Sequence, residues 1–519
     1  MKTGRTLASF GTLALLAPWS LTAQTFPSDD PVLRSIWTEG TERSQVATLS
    51  QVLLDSLGPR LTGSPESKAA SDWVVATYAA WGIEARQERY GTWRGWRRGP
   101  THVDLLEPRV RTLDATMRAW SPGTAGPVSG PVVALPAASD PAELDALIAG
   151  LRGKFVLVSF PQPTCRPDDN WEEWGRESTI ERLRSAREEA RAAWGRRQAA
   201  AGENALDMIA RLEAAGVAGI LTSTWSEGWG VQKVFDAYTE RVPMLEVGCE
   251  DYGLLFRLAD RAQGPVISVD ARAEALGEIP VWNTIGVIPG AERPDEYVLL
   301  SAHFDSWDGA SGATDNGTGT VTMMEALRIL KATYPNPRRT IMVGHWNGEE
   351  QGLNGSRAFV TDHPEVVEGL QALFNQDNGT GRVTTISMQG LTGVAPFFAA
   401  WFAKMPSELI SEIDLVIPGS PGGGGTDNAS FVCAGAPAFG LSSLSWDYNT
   451  YTWHTDRDTF DKVVMDDVRD NAILTAMLAY LASEEPEMLP RERRVLASNP
   501  RTGQPGQWPM CRDGARVTN

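Results

Sequence analysis

The stretch "EYVLLSAHFDSWDGASGATDNGTGTVTMMEALRILKAT", Glu296 to Thr333, decides the fold. It opens on a short apolar run, passes through a Gly-rich polar loop, and ends in a segment with helical spacing. That is one strand–loop–helix unit of an α/β sheet. Between His303 and Thr320 the loop carries one histidine, the cation-binding side chains Asp305, Asp308, Asp315 and Asn316, and four glycines. Crowding oxygen and nitrogen donors directly after a buried strand makes either a polar turn or the first half of a metal site.

Downstream the pattern repeats. "RTIMVGHW" precedes "GSRAFVTDH", and "ALFNQD" is a further short apolar run. Residues 278–490 therefore read as a catalytic core of class α/β, a mixed but mostly parallel sheet flanked by helices. Residues 24–114 read as its N-terminal part, with a helix around Trp73 to Trp81 stopped by Gly82 and an alternating strand "IEARQERY" after it. Between them the runs "VSGPVVALP", "GKFVLVSF", "GVAGILTS" and "VPMLEVG", bounded by Gly and Pro, make 115–277 a β-rich inserted module. Inside it, residues 171–214 or so are helical and dense in Arg and Glu, the pattern of a solvated helix laced with i,i+4 pairs. The tail, 491–519, is rich in Pro and Gly and runs over the surface.

Composition narrows the function. A formal charge of −18 leaves no large basic surface for phosphates, so nucleic acid is not an expected partner. Residues 1–23 have the basic, apolar and small-residue parts of a secretory signal peptide, and no later stretch is apolar for long enough to anchor in a membrane. A periplasmic or secreted protein is expected. There Cys165, Cys249, Cys433 and Cys511 could pair in three ways, and sequence alone does not choose.

Three apolar runs end in ligand-type residues: His303 with Asp305, then Glu349 with Glu350, then Asp377. In an open α/β sheet, ligands collect outside the carboxyl ends of the strands. His303 and Asp305, two apart at a strand end, point the same way, so Asp305 could hold the second ring nitrogen of His303. Of the other histidines, only His454, in "YTWHTDRDTFDK", sits among carboxylates; His345 reads as a core residue, and His102 and His363 as surface ones.

In order, His303-x-Asp305, Asp315, Glu349-Glu350, Asp377 and His454 resemble the di-zinc aminopeptidase and glutamate carboxypeptidase family. "HFDSWD", "EEQGLNGS" and the H-T-x-x-D-T around His454 look most like its plasma glutamate carboxypeptidase branch. "LGPRLTGSPESKAASDW" is similar to the start of the family's catalytic domain, and "GKFVLV" with "AAGVAGIL" to its inserted protease-associated domain. The resemblance covers most of residues 40–480. It implies two zinc ions per chain, Asp315 bridging them, and His303, Glu350, Asp377 and His454 completing the two spheres. It makes Glu349 the general base. Tyr448, Tyr451 or Asp427 would support the oxyanion, and Gly422 to Gly425 would belong to a substrate-pocket loop.

The expected activity is a metallo-exopeptidase hydrolysing dipeptides or short peptides, acting as an aminopeptidase and forming homodimers in some cases. A carboxypeptidase is the nearest rival. A glutaminyl cyclase-like single-zinc acyltransferase on the same fold is the second, and an inert binding protein the third.

Overall fold

The computed structural model describes residues 26–199, 205–498, 501 and 503–518, so the signal-peptide reading of residues 1–23 lies outside the described residues. Fourteen strands are described. The first eight are β1 (Glu84–Glu107), β2 (Arg111–Thr112), β3 (Ala115–Met117), β4 (Val128–Ala134), β5 (Phe155–Leu157), β6 (Gly219–Thr222), β7 (Met244–Val247) and β8 (Val266–Ile288). The remaining six are β9 (Arg293–His303), β10 (Arg339–Trp346), β11 (Leu370–Asn375), β12 (Val383–Ser387), β13 (Asp414–Val416) and β14 (Ala438–Ser443). Twelve of them hydrogen-bond in the order β13-β12-β14-β11-β9-β10-β8-β4-β5-β6-β7-β3, while β1 pairs with β8 and β2 with β1.

The centre of this sheet is parallel: β9 lies between β10 and β11, and β11 also pairs with β14 in parallel. Strand β9 shows why its sequence is a continuous apolar run. Val298, Leu300 and Ala302 face one core, packed by the helices Thr318–Thr333 and Met465–Glu484. Leu299 faces the opposite core with Phe359 and Phe431 from the helices Asn354–Asp362 and Asn428–Val432. Side chains alternate across a strand, so a strand covered on both faces is apolar nearly throughout; the buried exception in β9, Ser301, donates its hydroxyl to Asn375 Oδ1 at 2.6 Å.

Residues 115–277 are joined to the rest of the sheet by backbone pairing. β1 and β8, 24 and 23 residues long, run antiparallel as a ribbon. β8 pairs with β10 at its C-terminal end and with β4 at its N-terminal end, so it passes unbroken through position 277/278. Beyond β4 the strands β4, β5, β6 and β7 run parallel, with helices between β4 and β5 and between β5 and β6, and a loop between β6 and β7.

Within the Arg/Glu-dense segment, helices span Asp168–Trp174, Glu177–Ala199 and Ala205–Ala214. In the second of these only Trp194 is buried, with its indole N–H donating to the Val158 carbonyl at 3.0 Å. The pairs expected along the helix instead join neighbouring helices: Arg184 to Glu172 and Arg187 to Asp168, both at 3.0 Å. Side chains this long reach an acid on an adjacent helix as easily as one a turn away.

Both disulfides are long-range, Cys165–Cys249 and Cys433–Cys511, and no free cysteine remains among the described residues. No described helix is long and apolar enough to cross a membrane.

Candidate metal centre

The register of the parallel strands brings the predicted residues together. Trp346 of β10 is level with His303 of β9, and Asn375 of β11 with Ser301, so all three strands release their chains at one edge. His303 leaves from β9, Glu349 and Glu350 from the turn after β10, and Asp377 two residues beyond β11. Gly348 makes that turn at φ 77°, where a Cβ would lie 2.5 Å from the Tyr90 hydroxyl. Only glycine fits both demands.

Two groups of ligand atoms result, His303 with Asp315 and Asp377, and Asp315 with Glu350 and His454. His303 Nε2 lies 2.9 Å from Asp377 Oδ1 and 3.3 Å from Asp315 Oδ1. His454 Nε2 lies 2.9 Å from Glu350 Oε2 and 3.4 Å from Asp315 Oδ2. One carboxylate thus offers one oxygen to each group.

His303 Nδ1 is 3.0 Å from the backbone carbonyl of Asp305, which can only accept, so Nδ1 carries a hydrogen and Nε2 is the nitrogen turned to the cluster. The ring nitrogen is therefore held by the Asp305 main chain, and the expected side-chain contact is long, 3.8 Å. The fully buried Asp305 carboxylate turns instead to the next loop. It accepts the backbone N–H of Glu349 at 3.1 Å, that of Glu350 at 3.3 Å and the Thr62 hydroxyl at 3.1 Å. Asp305→Ala removes the acceptor that aims both glutamates. It is expected to lower kcat by about 10- to 100-fold, the usual cost of losing a group that orients a ligand, with the melting temperature as the control for folding.

Asp315 is fixed from two sides. Asp458 accepts the N–H groups of Thr314 (2.8 Å) and Asp315 (3.0 Å). Arg60, fully buried, donates to the carbonyls of Phe304 (2.7 Å), Ser311 (2.9 Å) and Gly312 (2.8 Å), clamping both ends of the loop. Sequence reading passed over Arg60, although it stands in the turn-rich "LGPRLTG" already singled out. His454 sits at φ 59°, a conformation few non-glycine residues adopt, and its carbonyl accepts the N–H of Val234 at 2.8 Å. Phe235 packs edge-on against its ring at 5.2 Å. Both belong to the inserted segment, and no local signal marks them.

The electrostatics ask for a cation. Burial, then the charges of Asp377, Asp427 and Glu350, pushes the Glu349 carboxyl well above the usual range, against the pull of His303. Burial and Asp315 do the same to Glu350. Burial pushes the His454 imidazole down to about 4, which keeps it in the neutral, ligating form. Asp315 Oδ2 and Glu350 Oε1 are buried without a hydrogen-bond partner. Burial opposes a charged His303, but Asp377 and Asp315 outweigh it and hold this imidazole well above its usual range, so a proton sits where a cation could. Orphaned carboxylate oxygens beside two imidazoles form a mixed N and O donor set, and the residues fit divalent metal ions.

A cavity of about 400 Å³ opens on these groups, walled also by Leu353, Arg357, Gly425, Tyr448 and Trp453. Gly425 holds φ 91°, and a Cβ there would meet nothing within 4 Å, so the loop needs the glycine for its backbone angle and not for space. Tyr448 also walls a neighbouring cavity of about 480 Å³ with Trp229, Trp446 and Tyr451. Of the three oxyanion candidates, only Tyr448 borders the ligand cluster; Tyr451 lies in the second cavity and Asp427 is buried outside both.

The other histidines stand apart. His345 is buried with Nε2 2.8 Å from the Tyr78 hydroxyl. His102 lies 2.9 Å from Asp104, and His363 pairs with Glu88 and Glu365, so both have carboxylate neighbours, Asp104 and Glu365 only two residues away in sequence.

Residues 283–479 match the family profile of peptidase family M28, and this span holds every residue of the cluster. They form an M28 peptidase domain. The chain is accordingly a metallopeptidase. It is 27% identical over 446 residues to carboxypeptidase Q of Mus musculus, covering 85% of this chain and 86% of that protein, and 26% identical to the Homo sapiens protein of the same name. Among solved structures it is similar to a peptidase M28 precursor from Shewanella amazonensis (TM-score 0.64, 24% identity, 88% of this chain and 97% of that one). It is also similar to an aminopeptidase from Bacillus subtilis (TM-score 0.52, 18% identity, 86% and 97%). At these identities the structural likeness speaks for the fold of the M28 domain together with its inserted segment.

Proposed function

We propose that the chain is a periplasmic or secreted two-zinc exopeptidase that hydrolyses dipeptides and short peptides at the free amino end. The observation that carries this reading is Asp315, whose two oxygens face two separate ligand groups while Glu349 stands beside them unligated. His303 and Asp377 would hold one ion, Glu350 and His454 the other, and Asp315 both. When bound, the pair supplies Lewis-acid polarisation of the scissile carbonyl. Glu349 takes a proton on its carboxylate from the attacking water and passes it to the leaving amine nitrogen. The Tyr448 hydroxyl donates to the carbonyl oxygen as it gains charge. Gly425 lets its loop lie against the substrate, and the aromatic second cavity suits an apolar side chain. The two disulfides agree with an oxidising compartment.

Carboxypeptidase activity is the second reading, favoured by the similarity to carboxypeptidase Q across most of the chain. Sharing of Asp315 between two groups favours either peptidase over a one-zinc cyclase. The test is the metal-replete enzyme with free and N-acetylated dipeptides, before and after chelation. Turnover of the free dipeptide is expected, lost on chelation, restored by zinc, and absent with the acetylated substrate. Cleavage of acetylated peptides would assign the carboxypeptidase instead, and cyclisation of N-terminal glutamine would overturn both.

A further inference from the structure

Two segments far apart in sequence meet beside the ligand cluster. One is residues 225–235, where an antiparallel bridge from Trp225 to Gln232 closes a short hairpin. The other runs from Tyr448 to Asp456 and carries Tyr448 at one end and His454 near the other. Lys233 pairs across Thr455 in antiparallel register. On either side of that pair, the Val234 N–H donates to the His454 carbonyl at 2.8 Å and the Asp456 N–H to the Gln232 carbonyl at 3.0 Å. The hairpin tip lies against the loop. A Cβ on Gly228 would come within 2.7 Å of the Tyr451 ring, and Arg457 Nε donates to the Gly230 carbonyl at 2.9 Å.

The loop does not complete its own hydrogen bonds. It satisfies the carbonyls of Tyr448, Tyr451 and Thr452 internally, through the N–H groups of Thr452, Trp453 and Thr455 and the Thr455 hydroxyl. The carbonyls of Asn449, Thr450 and Trp453 are taken by the hairpin segment. Lys233 Nζ donates to Asn449 and to Trp453, both at 3.0 Å, and the Ser226 hydroxyl to Thr450 at 2.6 Å. A helix end leaves its last carbonyls without intrahelical partners, and side chains from elsewhere can take them. For the short helix Tyr448–Tyr451 that role falls to an ammonium group more than 200 residues away. The same ammonium lies 4.0 Å from the centroid of the Trp453 ring, so it grips the turn by its main chain and by a side chain that walls the ligand cavity. The described wall residues of the two cavities do not include Lys233, so it reaches the site through this loop.

We infer that Lys233 is a positioning residue of the reaction: by holding the Asn449 and Trp453 carbonyls it sets the place of the Tyr448 hydroxyl, so that a segment outside the catalytic strands fixes an oxyanion donor. The inference rests on the exopeptidase reading, in which Tyr448 donates to the substrate carbonyl oxygen, and names what holds that donor. His454 is held separately, its carbonyl by the Val234 N–H and its ring by Phe235, and neither contact needs the Lys233 side chain. Loss of the ammonium therefore loosens Tyr448 and leaves the ligand groups intact. The bond it weakens strengthens only as charge develops on the substrate oxygen, so the cost falls on kcat and not on KM.

The experiment compares the zinc-loaded wild type with Lys233→Met, Lys233→Arg, Tyr448→Phe and the double variant Lys233→Met with Tyr448→Phe. Methionine keeps an apolar stem over Trp453 and donates nothing. Turnover of Ala-Ala is measured beside zinc content, melting temperature and calorimetric affinity for the phosphinic analogue of Ala-Ala, whose tetrahedral oxygen stands where the substrate carbonyl gains charge. Lys233→Met is expected to lower kcat by about 10- to 100-fold, with KM within about twofold and zinc unchanged, the scale on which a misplaced catalytic group is felt. Tyr448→Phe is expected to lower kcat by about 10²- to 10³-fold, the cost of losing one oxyanion donor. The double variant is then no slower than Tyr448→Phe alone, because an absent hydroxyl cannot be misplaced. Affinity for the analogue follows the same pattern. Lys233→Arg can still donate to both carbonyls and stays within about threefold of the wild type. Costs that add in the double variant, an unchanged kcat in Lys233→Met, or a loss of zinc that accounts for the fall would each overturn the inference. A wild type that binds the analogue with this non-additive pattern yet cleaves no peptide sinks the exopeptidase reading and leaves the positioning role standing. One that neither cleaves Ala-Ala nor binds its analogue overturns both.

Discussion

Replacing Glu349 by Gln is expected to lower kcat by about 10²- to 10⁴-fold, the span of general acid–base catalysis, while zinc content and melting temperature stay as in the wild type. Glu349 borders the cavity but belongs to neither ligand group, so its loss removes a proton acceptor and not a ligand. Glutamine keeps the volume and hydrogen-bonding shape of the side chain and cannot take a proton. The measurement pairs kcat with zinc per chain. A variant that loses zinc as well as activity would make Glu349 a ligand, and one that keeps its activity would end its assignment as the base.

Asp315→Asn is the second large effect. An amide offers one oxygen where the carboxylate offers two, so the change strikes both groups at once. Zinc is expected to fall from two per chain towards none after dialysis, with affinity weakened by more than about 100-fold, since even losing a group outside the ligand set costs 10- to 100-fold. Asp377→Asn touches one group only and should leave one ion bound. Elemental analysis of the two variants side by side is the test. Equal loss in both would mean that Asp315 does not bridge.

Much of this was legible before any coordinates. The stretches Val298 to His303, Arg339 to Trp346 and Leu370 to Asn375 are buried on one face or the other, and such burial writes itself into sequence as a mostly apolar run. Ligand-type residues just past those runs had to meet at one sheet edge once the strands were parallel. The inserted segment was harder to read. Its long helices display mostly solvated residues, and its ion pairs run between helices, where linear spacing carries no signal.

The role of Asp305 also escaped the sequence. Spacing of two suggested a side-chain bond to His303, yet the main chain makes that contact and the carboxylate holds the Glu349 turn, 44 residues away. Arg60, Val234 and Phe235 steady the site from much farther along the chain.

The sequence by itself determined which elements form and which chemical groups they carry, because burial period and side-chain type are properties of short stretches. Only the tertiary structure decided which cysteines pair and that Asp315 turns one oxygen to each ligand group. Each of these depends on the distance between residues far apart along the chain, and that distance exists only after the sheet has closed its register and the cores on its two faces have packed.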